Sequence, residues 1–367
     1  MPAALTSFSA TADAIATPAI TPCASFTALR KAAPALGETM TGDVFYSLDW
    51  FETLYHHGFA QAAPLELLLA ETPGHAPICL PLVAGTEIAG LSNFYSALFG
   101  PIGQIDAAAQ DALDALARHL HQDQRRWPLL TLQPLDQEAP FLPMFSRSLR
   151  TAGYWVDDFH CFGNWTLHVA GRNYEQYHGT LPSRLQNTIR RARRKLERTG
   201  SLHITIAQAA GESLTSAIAD FEAIYAASWK TPEPFPQFIS AWCRRAAERG
   251  WLRLGVLRLD GQALAAQLWL VKDGKASIFK LAYREGAQPY SPGSVLTAEL
   301  MRRVIDTDGV HEVDFLSGDD AYKQDWMSHR RTRVGLVAFR PTHWRGLLAA
   351  GRHTLGKWRR RWQEPKA

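Results

Sequence analysis

The sequence predicts an α/β chain built on a mixed, mostly antiparallel sheet flanked by helices. Three observations carry that expectation. Strand-like and helix-like apolar periods alternate along the chain. Two Asp-Gly steps, Asp260-Gly261 and Asp273-Gly274, each separate a pair of apolar runs at hairpin spacing. A strand–helix–strand run near the C-terminus calls for a parallel crossover.

Taken in order, residues 1–40 hold 12 alanines, six threonines and four prolines but only four charges. They show no sustained apolar period and predict a flexible leader. Structure is expected from Gly42, with Ser47 or Asp49 capping a short helix. Apolar runs at 65–70 and 78–83 flank a Thr-Pro-Gly-His turn and read as strands. Leu113, Leu116 and Leu120 share one face of a helix over 107–126. A strand at 129–133, a helix at 140–152 and a strand at 164–169 follow. The second half predicts helices at 181–199, 215–228 and 236–249, then a hairpin of 252–259 with 262–271. A strand at 275–283, a helix at 294–306 and strands at 311–316 and 333–339 complete it. The expected units are the leader 1–40, a lobe over 41–170, a lobe over 171–340 and a basic helix over 341–367.

The net charge of +4 hides an asymmetry. Residues 183–199 carry +6 and residues 340–367 carry +7, which leaves −9 on the other 322 residues. That acidic remainder argues against a general nucleic-acid binder. The four cysteines lie far apart with no Cys-x-x-Cys pair, which points to a reducing cytoplasm and to no cysteine-built metal site. No apolar run reaches the roughly 18–20 residues of a membrane helix, and no Gly-x-Ser-x-Gly nucleophile turn occurs.

In the first basic segment Leu185, Ile189, Ala192 and Leu196 form one stripe, with Ser183 and Gln186 as an expected capping box. Arg190, Arg191, Arg193, Arg194, Lys195 and Arg198 lie around it. They make either a solvated face paired with acids elsewhere or a docking face for phosphates of a coenzyme, a carrier protein or RNA. After strand 275–283 comes Tyr290-Ser291-Pro292-Gly293-Ser294. Ser291 or Ser294 can cap the next helix, and Gly293 lets backbone N–H groups approach an anion. An ordinary strand-to-helix turn uses the same residues.

Gly318-Asp319-Asp320-Ala321-Tyr322-Lys323 follows a strand end, where ligands bind in α/β sheets. An acid there can act as general base, and a tyrosine or lysine can protonate a leaving group or hold an oxyanion. Equally, Asp320 can cap the next helix and pair with Lys323. In the tail, Trp344, Leu348, Gly351, Leu355, Trp358 and Trp362 fall near one helical face, with Arg345, Arg352, Lys357 and Arg359 to Arg361 covering the rest. That pattern fits either peripheral contact of 341–362 with the inner face of an anionic membrane or a terminal helix packed on the body.

Over about residues 42–340 these pieces resemble, in order and spacing, the GNAT-type acyltransferases of the CelD-like (cellulose-biosynthesis acetyltransferase) family, related to the FemAB transferases. The pieces are Val44-Phe45-Tyr46-Ser47-Leu48-Asp49-Trp50, the basic helix from Ser183, Ala227-Ser228-Trp229-Lys230 and Leu264-Ala265-Ala266-Gln267. They continue with Tyr283, Tyr290-Ser291-Pro292-Gly293, and Asp314-Phe315 through Lys323. The resemblance implies two tandem GNAT-like lobes. It also implies acyl transfer from acetyl-CoA or another acyl-CoA to an amine or hydroxyl in polysaccharide or cell-envelope metabolism. On that basis Ser291, Gly293 and Ser294 are expected at the coenzyme pyrophosphate, and Arg190 and Arg194 toward a phosphate-bearing donor or an acyl carrier protein. Asp319, Asp320, Tyr322 and Lys323 are the expected catalytic groups, and Trp229, Lys230, Gln267 and Tyr283 the expected acceptor contacts. The alternatives are a FemAB-like transferase using aminoacyl-tRNA and a catalytically silent scaffold in an exopolysaccharide assembly complex.

Overall fold

The computed structural model describes residues 18–38, 42–59 and 64–363. In chain order the first half holds β1 (Ala19–Cys23), α1 (Phe26–Ala32), α2 (Ala35–Glu38), α3 (Leu48–Gly58), β2 (Leu65–Glu71) and β3 (Ile78–Ala84). It continues with β4 (Ile88–Gly90), α4 (Gln110–Gln122), β5 (Leu129–Asp136), α5 (Phe141–Thr151) and β6 (Trp155–His168). The second half holds α6 (Tyr174–Thr180), α7 (Ser183–Thr199), β7 (Leu202–Ala207), α8 (Glu212–Ala226), α9 (Pro236–Glu248), β8 (Leu252–Leu259) and β9 (Gln262–Lys272). After it come β10 (Lys275–Tyr283), α10 (Pro292–Arg302), β11 (Glu312–Asp314), β12 (His329–Phe339) and α11 (Trp344–Gln363). Both Asp-Gly steps are tight hairpins, with φ of +49° and +78° at Asp260 and Gly261 and +47° and +74° at Asp273 and Gly274.

The leader expectation fails for residues 18–38, while 1–17 lie outside the described residues. β1 pairs antiparallel with β2, from Ala19 opposite Glu71 to Cys23 opposite Leu67. Ser25 accepts the Ala28 N–H as the cap of α1, and Phe26, Leu29 and Leu36 are buried. The alanine and threonine background conceals these few well-spaced apolar anchors, which suffice to bury one face of a short helix.

The twelve strands of the described residues join one sheet in the order β1-β2-β3-β4-β5-β12-β6-β11-β10-β9-β8-β7. β12, the last strand of the chain, lies between β5 and β6 of the first half. β6 in turn lies between β12 and β11 of the second half. Each half is thus completed by a strand of the other. The sequence predicts β6 over 164–169 only, yet it runs 14 residues. At about 3.3 Å per residue that is roughly 45 Å, long enough to lie along all of β12 and still reach β11. From either edge of the sheet, the fourth and fifth strands are the parallel pair: β4 with β5, and β10 with β11.

The halves also share a core. Trp50 of α3 is fully buried and meets Trp242 and Phe238 of α9 edge-on at 5.1 and 5.7 Å. α7 begins at Ser183, two residues later than the expected start at 181, and Ser183 is its first helical residue and not its cap: Pro182 holds the cap position and no side chain caps the helix. Gln186 instead donates to Leu181 O at 2.8 Å, and a capping box occurs at Asn173 and Gln176 of α6. The stripe Leu185, Ile189, Ala192 and Leu196 is buried.

Candidate functional site

The site forms where a parallel pair comes apart. β10 and β11 pair through Ser277 and Asp314, and there β11 ends. β10 bulges between Ile278 and Lys280 and continues to Tyr283 against β9 alone. A bulge re-aims a strand and stops its pairing, so the β10 edge past Ser277 is left open. On the other side the chain leaves β11 through Leu316, at φ +55°, and Gly318, at φ +96°.

Leucine seldom adopts this left-handed conformation. Here Asp314 Oδ1 accepts the Leu316 N–H at 2.6 Å, and Asn164 of β6 donates to Leu316 O at 2.8 Å. Asp314 is fully buried at the centre of an ionic network. Lys275 Nζ lies 2.8 Å and Arg331 Nη2 2.7 Å from its Oδ2, and Asn164 donates to its Oδ1 at 2.6 Å. Lys275 also meets Asp43 at 2.6 Å, and Arg333 meets Asp136 at 2.6 Å. Burial alone would raise the Asp314 carboxyl. Lys275, Arg331 and Arg333 outweigh it and hold the carboxyl well below the usual carboxylate range. The network joins both halves and sets the loop at 316–320.

The resulting cleft, about 220 Å³, is walled by Ile278 to Leu281 of β10, by Phe315 to Ser317, and by Asp320, Tyr322 and Lys323. Tyr225 in the last turn of α8 and Lys230 just after it close the cleft, with Phe94, Tyr95 and Ala97 from a loop of the first half. Tyr95 is held by stacking on Phe238 at 4.2 Å. Three lysines face the cleft, each with its pKa lowered chiefly by burial. For Lys230 the charge of Lys280 adds to the effect. Lys280 lies 2.7 Å from the partly buried Glu233 carboxylate and 4.7 Å from the Phe94 ring. Lys323 donates to Ser317 O at 2.5 Å and Gly318 O at 3.2 Å, and meets Asp320 at 3.2 Å. All three of its donors therefore brace the loop. Burial and the Asp320 charge push the Tyr322 phenol well above its ordinary value, so it is a hydrogen-bond donor more than a full acid.

The expected residues separate into groups. Asp320, Tyr322, Lys323 and Lys230 line the cleft. Asp319 does not. It lies 2.5 Å from Arg330 and accepts from Trp165 Nε1 at 2.8 Å. Gln267 is buried and donates to Gly293 O at 3.0 Å and Thr297 Oγ1 at 2.8 Å. It ties β9 to α10 and does not line the cleft. Trp229 and Tyr283 stand outside the lining, their rings 4.3 Å apart. Tyr283 lies against Gly293, where an added Cβ would meet the ring at 3.4 Å.

Ser291 precedes α10 at φ +44° without a side-chain cap, and Ser294 already donates its N–H back to Ser291 O. Arg190 and Arg194 stand exposed on the side of α7 away from its buried stripe. The α7 cation that reaches the start of α10 is Lys195, which donates to Pro289 O at 3.1 Å and lies 4.5 Å from the Tyr290 ring.

Lys280, Glu233 and Tyr95 are the residues that sequence reasoning missed, and Lys195 reads from sequence only as one cation of the α7 face. Lys280 had a readable signal, a lone charge inside the apolar strand Ser277-Ile278-Phe279-Lys280-Leu281-Ala282. Tyr95 and Glu233 had none, since their place depends on contacts between the halves.

Residues 183–324 match the family model described as acetyltransferase (GNAT) domain. That segment contains α7, α10 and every cleft residue except those of the first-half loop, and the match makes the enzyme class that of a transferase. No curated protein matches the sequence. Among solved structures, the crystal structure of FemX is similar over 84% of this chain and 95% of its own, at 12% identity and a TM-score of 0.61. The C-terminal domain of a putative lysylphosphatidylglycerol synthetase from Agrobacterium fabrum is similar over 90% of this chain and 97% of its own, at 13% identity and 0.57. A conserved protein of unknown function from Bacteroides thetaiotaomicron is similar over 88% of this chain and all of its own, at 11% identity and 0.54. At such identities these likenesses bear on the fold. They extend through both halves, whereas the family model covers the second half alone.

Proposed function

We propose that the chain moves an acyl group, acetyl first among candidates, from a CoA thioester to an amine or hydroxyl of a polysaccharide or cell-envelope precursor. The opening of β10 from β11 carries this reading. It places an unpaired strand edge beside a cleft that holds Asp320 and Tyr322. At about 220 Å³ the cleft admits the reacting ends of two substrates but not a whole coenzyme. The rest of the donor runs outside, past Trp229 and Tyr283 to the first turn of α10. The residues there fit a pyrophosphate: Gly293 brings no side chain, and Lys195 supplies a cation.

In this scheme the acceptor attacks the thioester carbonyl directly, forming the new C–N or C–O bond as the C–S bond breaks. Asp320 takes the acceptor proton, directly or through water. Backbone N–H groups of the open β10 edge hold the oxyanion. Tyr322 hydrogen-bonds the departing thiolate, and Lys230 holds negative charge on the acceptor near the cleft.

Thermal unfolding with CoA, acetyl-CoA, longer acyl-CoAs and an acyl carrier protein tests the donor. Stabilisation of about 3–4 kcal/mol is expected at 100–1,000 times the dissociation constant. If no thioester stabilises the chain at any concentration, it is a silent scaffold and the proposal falls. Gly293→Ala and Lys195→Ala are expected to weaken acyl-CoA binding roughly tenfold with little change in melting temperature. The Cβ added at 293 meets the Tyr283 ring at an ordinary contact distance, so it obstructs a ligand without straining the fold.

One observation favours a second reading, transfer from aminoacyl-tRNA. Among the described residues, no acid pairs with Arg190, Arg191, Arg194 or Arg198 on the outer side of α7. That reading predicts binding of tRNA that falls steeply with salt.

A further inference from the structure

α11 packs on the sheet by the side that its sequence marks as the weaker one. Ala350 is buried against Val337 and Phe339 of β12. His353 Nε2 lies 2.9 Å and Lys357 Nζ 2.6 Å from the Asp157 carboxylate of β6. Gly346 allows the close approach, since a Cβ there would stand 2.8 Å from Pro128 O. The opposite side is left to solvent, with Trp344 66%, Leu348 52%, Leu355 62% and Trp358 60% exposed. These four recur at helical spacing, and the exposed Arg345 and Arg352 run along one border of the stripe. The side chains of 359–363, Trp362 among them, lie outside the described residues. A helix held only for packing buries its tryptophans and leucines, but here they form an outward ridge while small and polar residues do the docking.

We infer that this outward face of α11 seats the protein on an anionic lipid bilayer, with Trp344, Leu348, Leu355 and Trp358 entering the headgroup layer. Charge complementarity selects this occupant. Of the +7 on residues 340–367, Arg340 is buried and Lys357 pairs with Asp157. Arg345 and Arg352 stand exposed beside the ridge, where an anionic surface attracts them, whereas a second copy of the same face would bring like charges together. Tryptophan at both ends of the ridge suits an interface with one apolar and one wet side. The contact lies along the surface, because no helix among the described residues is long and apolar enough to cross a membrane.

The test is cosedimentation of the full-length protein with vesicles of phosphatidylcholine alone and of phosphatidylcholine mixed with phosphatidylglycerol, at low and high salt. Partition onto the anionic vesicles is expected to exceed that onto neutral ones at least tenfold, and to fall with salt. The combined variant Leu348→Ser, Leu355→Ser is expected to lose partition while keeping the wild-type melting temperature, since these two side chains are more than half exposed. Arg345→Gln with Arg352→Gln is expected to weaken it and flatten its salt dependence. Equal partition of wild type and the serine variant overturns the inference. So does a dimer, seen by light scattering without vesicles, that the serine variant dissolves. The experiment reads no acyl transfer, so its outcome is independent of the proposed reaction.

Discussion

Asp314→Ala is expected to destabilise the protein by about 3–5 kcal/mol, because it leaves Lys275 and Arg331 buried without their shared carboxylate. The same change removes the acceptor that holds Leu316 in its left-handed turn, so the 316–320 loop loosens and turnover falls with stability. Denaturant unfolding reads the first effect and steady-state turnover the second. The dependence on pH has a definite sign. The Asp314 carboxyl is held below its ordinary value in the folded chain. Its contribution is therefore full above the unfolded carboxylate pKa of about 4 and is lost as pH falls toward the folded value. Wild type should lose stability on acidification below about pH 4, and Asp314→Asn should show a shallower loss there. A cost under about 1 kcal/mol for the alanine variant would mean that the network does not hold the loop.

Asp320→Asn is expected to lower turnover by about 10²–10³-fold with the melting temperature unchanged, while Asp319→Asn leaves turnover near wild type. The two acids are neighbours in sequence, but Asp320 lines the cleft and Asp319 is spent on Arg330 and Trp165. Equal effects of the two substitutions would remove Asp320 from the role of base. Lys323→Met is expected to reduce turnover through the loop, since its ammonium braces Ser317 and Gly318. Its pKa is lowered by burial, so the ammonium is lost at lower pH than in a free lysine. The alkaline limb of the rate profile should accordingly begin below the ordinary lysine range.

The CelD-like subfamily reading and the polysaccharide acceptor rest on short motifs within residues 42–340. The matched acetyltransferase (GNAT) domain supports the transferase alone. The twelve-stranded mixed sheet with flanking helices agrees with the expected fold class. The expected motifs also fall near one another. Ser291 to Ser294 opens α10, and the Gly-Asp-Asp-Ala-Tyr-Lys segment lines the opening between the parallel strands.

Sequence alone determined the features that one local stretch can specify. Apolar period separated strands from helices, Asp260-Gly261 and Asp273-Gly274 set the hairpins, and the apolar stripe of α7 chose its buried side. A turn residue or a period of 3.6 acts on its own few neighbours, so these are readable in order along the chain. Tertiary structure decided what depends on partners distant in sequence. It exchanged β6 and β12 between the halves, brought Tyr95 and Lys280 to one cleft, and set Asp320 on the rim of that cleft while pairing Asp319 with Arg330. It also chose Lys195 over Arg190 and Arg194 to approach α10, and it docked α11 by Ala350, His353 and Lys357. The physical reason is common to all of these. Residue type limits what a side chain can do, but strand register and the face on which two elements meet decide which side chains share a site.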